Sequence, residues 1–228
     1  MEQYHFPYKF IYAQNIDSGN LRKKYDVLIF VGGAIPSYRS VSESEIASAR
    51  NRSNSAAASE DIPAEYRGWT GNISPERSIP ELKKFTEDGG TIITIGSSTS
   101  MANYLNLPVR NALTKSDENG KETSLRQTEY YIPGSVLISS VDNKLPSAWG
   151  MNDEAYLYFS NSPVFRFGDD AEQKGIRKIA WFSTDSPLRS GWALGQNYLK
   201  GGVTAFEAPV GKGRFLAFGT EITFRSQP

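Results

Sequence analysis

Apolar positions in the first half of the chain gather into runs that end at glycine. Residues 25–31 read Tyr-Asp-Val-Leu-Ile-Phe-Val and stop at Gly32-Gly33, the pattern of a central parallel strand buried on both faces. Residues 79–90 place Pro80 in a first helical turn and Leu82 and Phe85 on one face, and they close on Gly89-Gly90, which predicts a helix. Residues 91–95, Thr-Ile-Ile-Thr-Ile, predict a second buried strand. A tight turn, Gly96-Ser97-Ser98-Thr99-Ser100, and a short helix through Leu105 follow it. Strand, helix, strand, turn and helix in this order predict a right-handed βαβ unit and a parallel sheet. Upstream, residues 8–12 alternate as a strand would until Asp17-Ser18-Gly19-Asn20 breaks the pattern. Residues 37–61, dominated by Ser, Ala, Glu and Arg without a steady apolar period, predict a flexible, partly helical insertion.

Beyond residue 108 the texture changes. Short apolar segments at 136–141, 155–160, 178–183, 203–207 and 214–218 are separated by Gly, Pro, Asn and Asp, so residues 109–228 read as a β-rich half of the same domain. Asp117-Glu118-Asn119-Gly120-Lys121 predicts a turn, and Gly211-Lys212-Gly213 predicts a hairpin before the last strand. This half has Trp149, Trp181 and Trp192 to bury. No internal repeat is visible, and one domain spanning 1–228 is the expected organisation.

Charge and composition then narrow the chemistry. Lys plus Arg and Asp plus Glu are equal at 25 each, so no bulk charge draws the chain to nucleic acid or to an anionic membrane. No apolar run approaches the ~20 residues of a membrane span, and the first residues, Met-Glu-Gln-Tyr-His, do not read as a signal segment. The chain has no cysteine, which excludes disulfides, thiol nucleophiles and thiolate metal sites. It has one histidine, His5, where a zinc hydrolase site takes two or more imidazoles and a serine triad takes one as base. His5 in its aromatic N-terminal stretch reads as a surface or packing residue.

The turn at 96–100 resembles a nucleophile elbow, with Ser98 as its middle residue and the backbone N–H groups of Thr99 and Gly33 as oxyanion-type donors. Ser and Thr are equally expected there as helix caps, and an unactivated serine is a poor nucleophile. Ser98 is therefore a relic candidate, and the catalytic set expected is empty. Asp153-Glu154 and Asp169-Asp170 are adjacent pairs that point to opposite sides of an extended chain, which is no two-carboxylate site. Gly211-Lys212-Gly213-Arg214 lacks the spacing of a phosphate loop. Tyr66, Trp69, Trp149, Trp181 and Trp192 line either a peptide or sugar groove or the core, and exposure decides between them. Trp69, Arg189 and Trp192 are the ligand-binding candidates. No metal or cofactor is expected.

Residues 25–33, the helix at 79–90 and the turn through Ser100 resemble the class I glutamine-amidotransferase-like fold, a flavodoxin-like parallel sheet flanked by helices. Several stretches are similar to the C-terminal domain of bacterial zinc carboxypeptidase-family proteins. They include Asp17-Ser18-Gly19-Asn20-Leu21-Arg22, Ile62-Pro63-Ala64-Glu65-Tyr66-Arg67-Gly68-Trp69, Tyr131-Ile132-Pro133-Gly134-Ser135 and Leu188-Arg189-Ser190-Gly191-Trp192-Ala193. Asn161-Ser162-Pro163-Val164-Phe165 and the closing Glu221-Ile222-Thr223-Phe224-Arg225-Ser226-Gln227-Pro228 belong to the same likeness. The resemblance implies an accessory domain linked to a zinc carboxypeptidase catalytic domain, in a secreted or periplasmic setting. The H-x-x-E zinc motif of that family would lie in the linked domain. Ser98 stands where the fold's usual cysteine does, and its histidine partner has no counterpart. The resemblance also implies further elements at both ends, and an unpaired strand edge open to self-association. Two other functions remain in view: a serine hydrolase or amidase acting through Ser98, and a peptide- or glycan-binding module.

Overall fold

The computed structural model of the protein describes residues 1, 5–51, 62–116 and 122–222. In chain order the elements are α1 (Ala13–Asp17), β1 (Val27–Phe30), α2 (Glu43–Asn51), α3 (Ser78–Glu87), β2 (Thr91–Ile95), α4 (Met101–Tyr104), β3 (Val109–Asn111), β4 (Thr114–Ser116) and β5 (Glu122–Ser124). Then come β6 (Ser135–Val141), β7 (Glu154–Phe159), β8 (Phe165–Phe167), β9 (Arg177–Trp181), β10 (Leu188–Ser190), β11 (Val203–Val210) and β12 (Gly213–Phe218). Among the described residues, ten strands form one mixed sheet whose main path runs β1-β2-β12-β11-β9-β6-β10, with β4 and β5 as a separate hairpin. The fold is α/β, with few and short helices and most of its ordered chain in strands.

The parallel part is small. β1 pairs with β2, and β2 with β12, both in parallel; the crossover from β1 to β2 passes through α3. From β12 onward every pairing is antiparallel, beginning with the predicted hairpin, in which Val210 faces Gly213 across Gly211 and Lys212. Gly211 takes φ 58°, the left-handed backbone this two-residue turn demands. The sheet runs through both halves of the sequence and joins the two textures.

Register explains the core. Leu28, Phe30, Ile92, Phe215, Ala217 and Phe206 share one face of β1, β2, β12 and β11, and all are buried under Ile16 of α1 and Ile79, Leu82 and Phe85 of α3. Ser78 Oγ donates a 2.6 Å hydrogen bond to Asp17 Oδ1, tying the start of α3 to the end of α1. A second core, around Ile132, Leu137, Phe159, Phe182 and Leu199, belongs to the β-rich half.

Three sequence expectations are corrected. Residues 25–31 predicted a central strand buried on both faces, but β1 lies at the end of the sheet path, and Val27, Ile29 and Val31 are 47%, 43% and 59% exposed. The opposite face is covered towards β12, where Leu216 and Phe218 pack against a buried cluster that includes Leu145 and Ala148 of the loop after β6. Residues 8–12 alternate yet form no strand; Tyr8 and Phe10 meet edge to face at 5.4 Å instead. The 37–61 segment, expected to be partly helical, contains the helix α2, begun by a reciprocal cap. The Glu45 N–H donates to Ser42 Oγ at 3.3 Å, and the Ser42 N–H donates to Glu45 Oε2 at 2.8 Å. Residues 52–61 of that expected insertion, and 117–121 of the expected turn, lie outside the described residues. Finally, Trp149 is 87% exposed, because the short turn before it spends Leu145 and Ala148 on the core and carries the indole outward.

Candidate functional site

The turn after β2 is a single 3-10 turn, Gly96–Ser100, leading into α4. Its left-handed residue is Gly96, at φ 59°, whereas the resemblance to an elbow placed the strained backbone at Ser98. Glycine takes that conformation without the steric cost any other residue would carry, so the turn stores little strain.

Ser98 is fully buried. Its hydroxyl donates to the Val31 carbonyl at 2.5 Å and accepts the N–H groups of Ala34 and Ile35, each at 3.1 Å. The proton and the acceptor capacity of Oγ are thus spent on the loop that follows β1. Gly33 N–H, the expected second oxyanion donor, gives its hydrogen bond to Ser97 Oγ at 2.8 Å. Thr99 is buried too, and its hydroxyl donates to the Gly96 carbonyl at 2.6 Å. Ser97 and Ser98 thus form a latch between two loops, with the Gly33 N–H bound to Ser97, while the Thr99 hydroxyl bonds within its own turn. His5 is exposed near the N-terminus with φ 57°, and no hydrogen bond of Ser98 involves it.

Beside the turn lies a cleft of about 260 Å³, walled on its polar side by Ser97, Thr99, Ser100, Asn103, Arg110 and Asn111. Ser98 is not on its wall. Arg110 pairs with Glu122, so the guanidinium is partly neutralised. Hydroxyls and amides there offer hydrogen bonds, but no imidazole or carboxylate lines the cleft to activate a nucleophile.

The binding candidates fall at opposite ends of the sheet. Trp69 closes a 3-10 turn packed on α1, 54% exposed, stacked on Tyr12 at 5.4 Å and met edge-on by Tyr66 at 4.9 Å. Arg189 lies on β10, the other end of the path. Trp192 follows it, 55% exposed, with Tyr131 at 6.2 Å. Ser135 Oγ fixes the Trp192 backbone, accepting its N–H at 2.9 Å and donating to its carbonyl at 2.6 Å. Trp69 and Trp192 thus meet different aromatic neighbours.

Among the described residues no three His, Asp or Glu side chains gather as a metal site, and no helix is long and apolar enough to cross a membrane. Tyr130, whose hydroxyl has no hydrogen-bond partner among the described residues, is held above the usual phenol range by burial.

No family model matches the sequence, and no curated protein does either. Solved structures give distant likenesses. A β-galactosidase from Bacillus circulans sp. alkalophilus aligns at 12% identity and TM-score 0.39, over 65% of this chain and 19% of that one. A cytoplasmic protein from Salmonella typhimurium aligns at 14% identity and TM-score 0.41, over 99% of this chain and 72% of that one. A ThuA-like protein from Bacteroides uniformis aligns at 8% identity and TM-score 0.37, over 64% of this chain and 56% of that one. The chain thus spans about a fifth of the length of the β-galactosidase.

Proposed function

We propose that this chain is a non-catalytic accessory domain of the class I glutamine-amidotransferase-like, flavodoxin-like type, and that it belongs to a zinc carboxypeptidase-like protein. One observation carries the non-catalytic half of the reading: the hydroxyl of Ser98, the residue at the elbow position, is buried and consumed by three hydrogen bonds to residues 31, 34 and 35. A serine in that state has no free lone pair for attack and no base to receive its proton. The β1–α3–β2 unit with β12 parallel beside it supports the fold type, because ligands and partners of such sheets meet the loops at the strand ends.

The linkage to a carboxypeptidase rests on the resemblance of residues 17–22, 62–69, 131–135 and 188–193. Its direct test is the reading frame of the natural gene. The proposal expects an in-frame catalytic domain with an H-x-x-E motif and a second distant histidine, and a frame encoding an unrelated partner, or none, would refute the linkage.

A further inference from the structure

Among the described residues, four strands of the large sheet have a neighbour on one side only: β1, β3, β7 and β10. Three of these edges carry charges or irregularities that discourage a further strand. Arg110 lies in β3, Glu154 in β7, and Arg189 in β10, whose pairing with β6 slips between Leu188 and Ser190. β1, with the sequence Val-Leu-Ile-Phe, has no charge, no proline and no bulge.

The register of β1 tells which of its backbone groups are open. Val27 lies beside Thr91, and the Thr91 N–H donates to the Asp26 carbonyl at 3.0 Å. Backbone groups of alternate residues point to alternate sides of a strand. Asp26, Leu28 and Phe30 therefore serve β2, while Val27 and Ile29 face the open edge. The outward carbonyls on either side of them are already taken. At one end the Tyr25 carbonyl accepts Arg22 Nη1 at 3.2 Å, and the Tyr25 N–H donates to the Leu21 carbonyl at 2.9 Å. At the other end the Val31 carbonyl accepts the Ser98 hydroxyl and, at 3.2 Å, the Ala34 N–H. The open stretch is thus two residues long, and the N–H and C=O groups of Val27 and Ile29 have no partner among the described residues.

We propose that this stretch pairs with the same stretch of a second copy of the chain, antiparallel about a two-fold axis at Leu28. Val27 then faces Ile29 of the partner subunit, Ile29 faces Val27 of the partner subunit, and each pair exchanges both of its hydrogen bonds. Moving the register by one pair either way sets an open residue against Tyr25 or Val31, whose carbonyls are occupied. One register therefore satisfies the edge. A longer foreign strand would carry further groups opposite those occupied carbonyls, whereas an identical edge leaves none over, and this match selects a second copy as the occupant. Val27 and Ile29 are both exposed on the uncovered face, so each pair also sets two branched apolar side chains side by side across the seam. The interface is isologous and small, and the dimer should dissociate on dilution. The inference does not depend on the carboxypeptidase linkage.

The chain has no cysteine, so single introduced cysteines report the register. Val27→Cys and Ile29→Cys chains, mixed and oxidised, should give a disulfide-linked dimer with one of each, which intact-mass spectrometry resolves. Either variant alone should cross-link at most about a tenth as fast, because like residues stand diagonally, about 7–8 Å apart and beyond disulfide reach. Sedimentation velocity of the unaltered chain should show a monomer–dimer equilibrium. Val27→Pro removes an outward N–H at the first position of the strand, where proline is tolerated, and with it two of the hydrogen bonds across the seam. It should raise the dissociation constant at least about tenfold, with circular dichroism verifying the fold. A chain that stays monomeric at about 1 mM would overturn the proposal. Like and mixed cysteine variants that cross-link equally would do the same, as would a folded Val27→Pro chain that dimerises like the parent.

Discussion

Ser98 Oγ donates a 2.5 Å hydrogen bond to the carbonyl of Val31, a residue 67 positions earlier in the chain. This one contact fastens the loop after β1 to the turn after β2, and the N–H groups of Ala34 and Ile35 complete it from the same side. A buried hydroxyl with all its partners satisfied stabilises the fold through the cost of leaving those partners bare.

Replacing Ser98 by Ala should therefore act on stability. It leaves one carbonyl and two N–H groups without their partner, which costs about 1–3 kcal/mol. Urea denaturation measures it as a lower midpoint with an unchanged slope. A variant as stable as the parent would show that water or a relaxed loop replaces the hydroxyl.

Gly213 and Gly150 make a contrasting pair. A Cβ on Gly213 would overlap the carbonyl oxygens of Gly90 and Thr86, both backbone atoms that cannot swing aside. Gly213→Ala should cost at least about 3 kcal/mol, the range of severe core strain. Gly150 takes φ 85° with no atom near its Cβ position, so Gly150→Ala should cost only about 1–2 kcal/mol, from the left-handed backbone. Thermal unfolding of the two variants side by side checks the order.

Glu45 links α2 to pH. Its carboxyl is held below the ordinary carboxylate value, first by the backbone N–H of Ser42, then by the Ser42 hydroxyl and by Arg39. A depressed folded-state value means that the contribution is present above the unfolded value and is lost as pH falls through the folded one. Glu45→Gln should therefore lower the melting temperature at pH 7, and the gap to the parent should close as pH drops below about 4.5. A gap that stays constant down to pH 3 would assign the effect to something other than the carboxylate.

β1 ends the sheet path, with Val27 and Ile29 exposed on its uncovered face and no proline or charge within it to discourage pairing. Ile29→Lys should reduce self-association in sedimentation velocity while shifting the melting temperature by little, since Ile29 is 43% exposed. Equal sedimentation of both proteins across a hundredfold concentration range would remove the edge as a cause of association.

Much of this architecture is legible in the chain. The runs at 25–31, 91–95, 203–207 and 214–218 announce strands because mostly apolar segments next to glycine leave few other outcomes. Gly211 and Gly213 mark the hairpin for the same local reason. In residues 37–61 the lack of an apolar period left the bounds of the expected partial helix open, and the Ser42–Glu45 cap sets its start. Three-residue strands such as β3, β8 and β10 are invisible, since their pairing is set by distant neighbours such as Asn111 with Phe165. The exposure of β1 is likewise a matter of what covers its far face, which local pattern does not encode. At the turn, the sequence locates Ser98 but not Val31, and only that partner distinguishes a latch from a nucleophile.

The central claim is that Ser98 holds the fold and performs no chemistry, and intact-mass spectrometry after exposure to a fluorophosphonate tests it most directly. With the hydroxyl buried and fully bonded, the folded chain should gain no adduct, and Ser98→Ala should differ from it only in stability. A single stoichiometric adduct on the native protein, absent from Ser98→Ala, would contradict the account and make Ser98 a nucleophile.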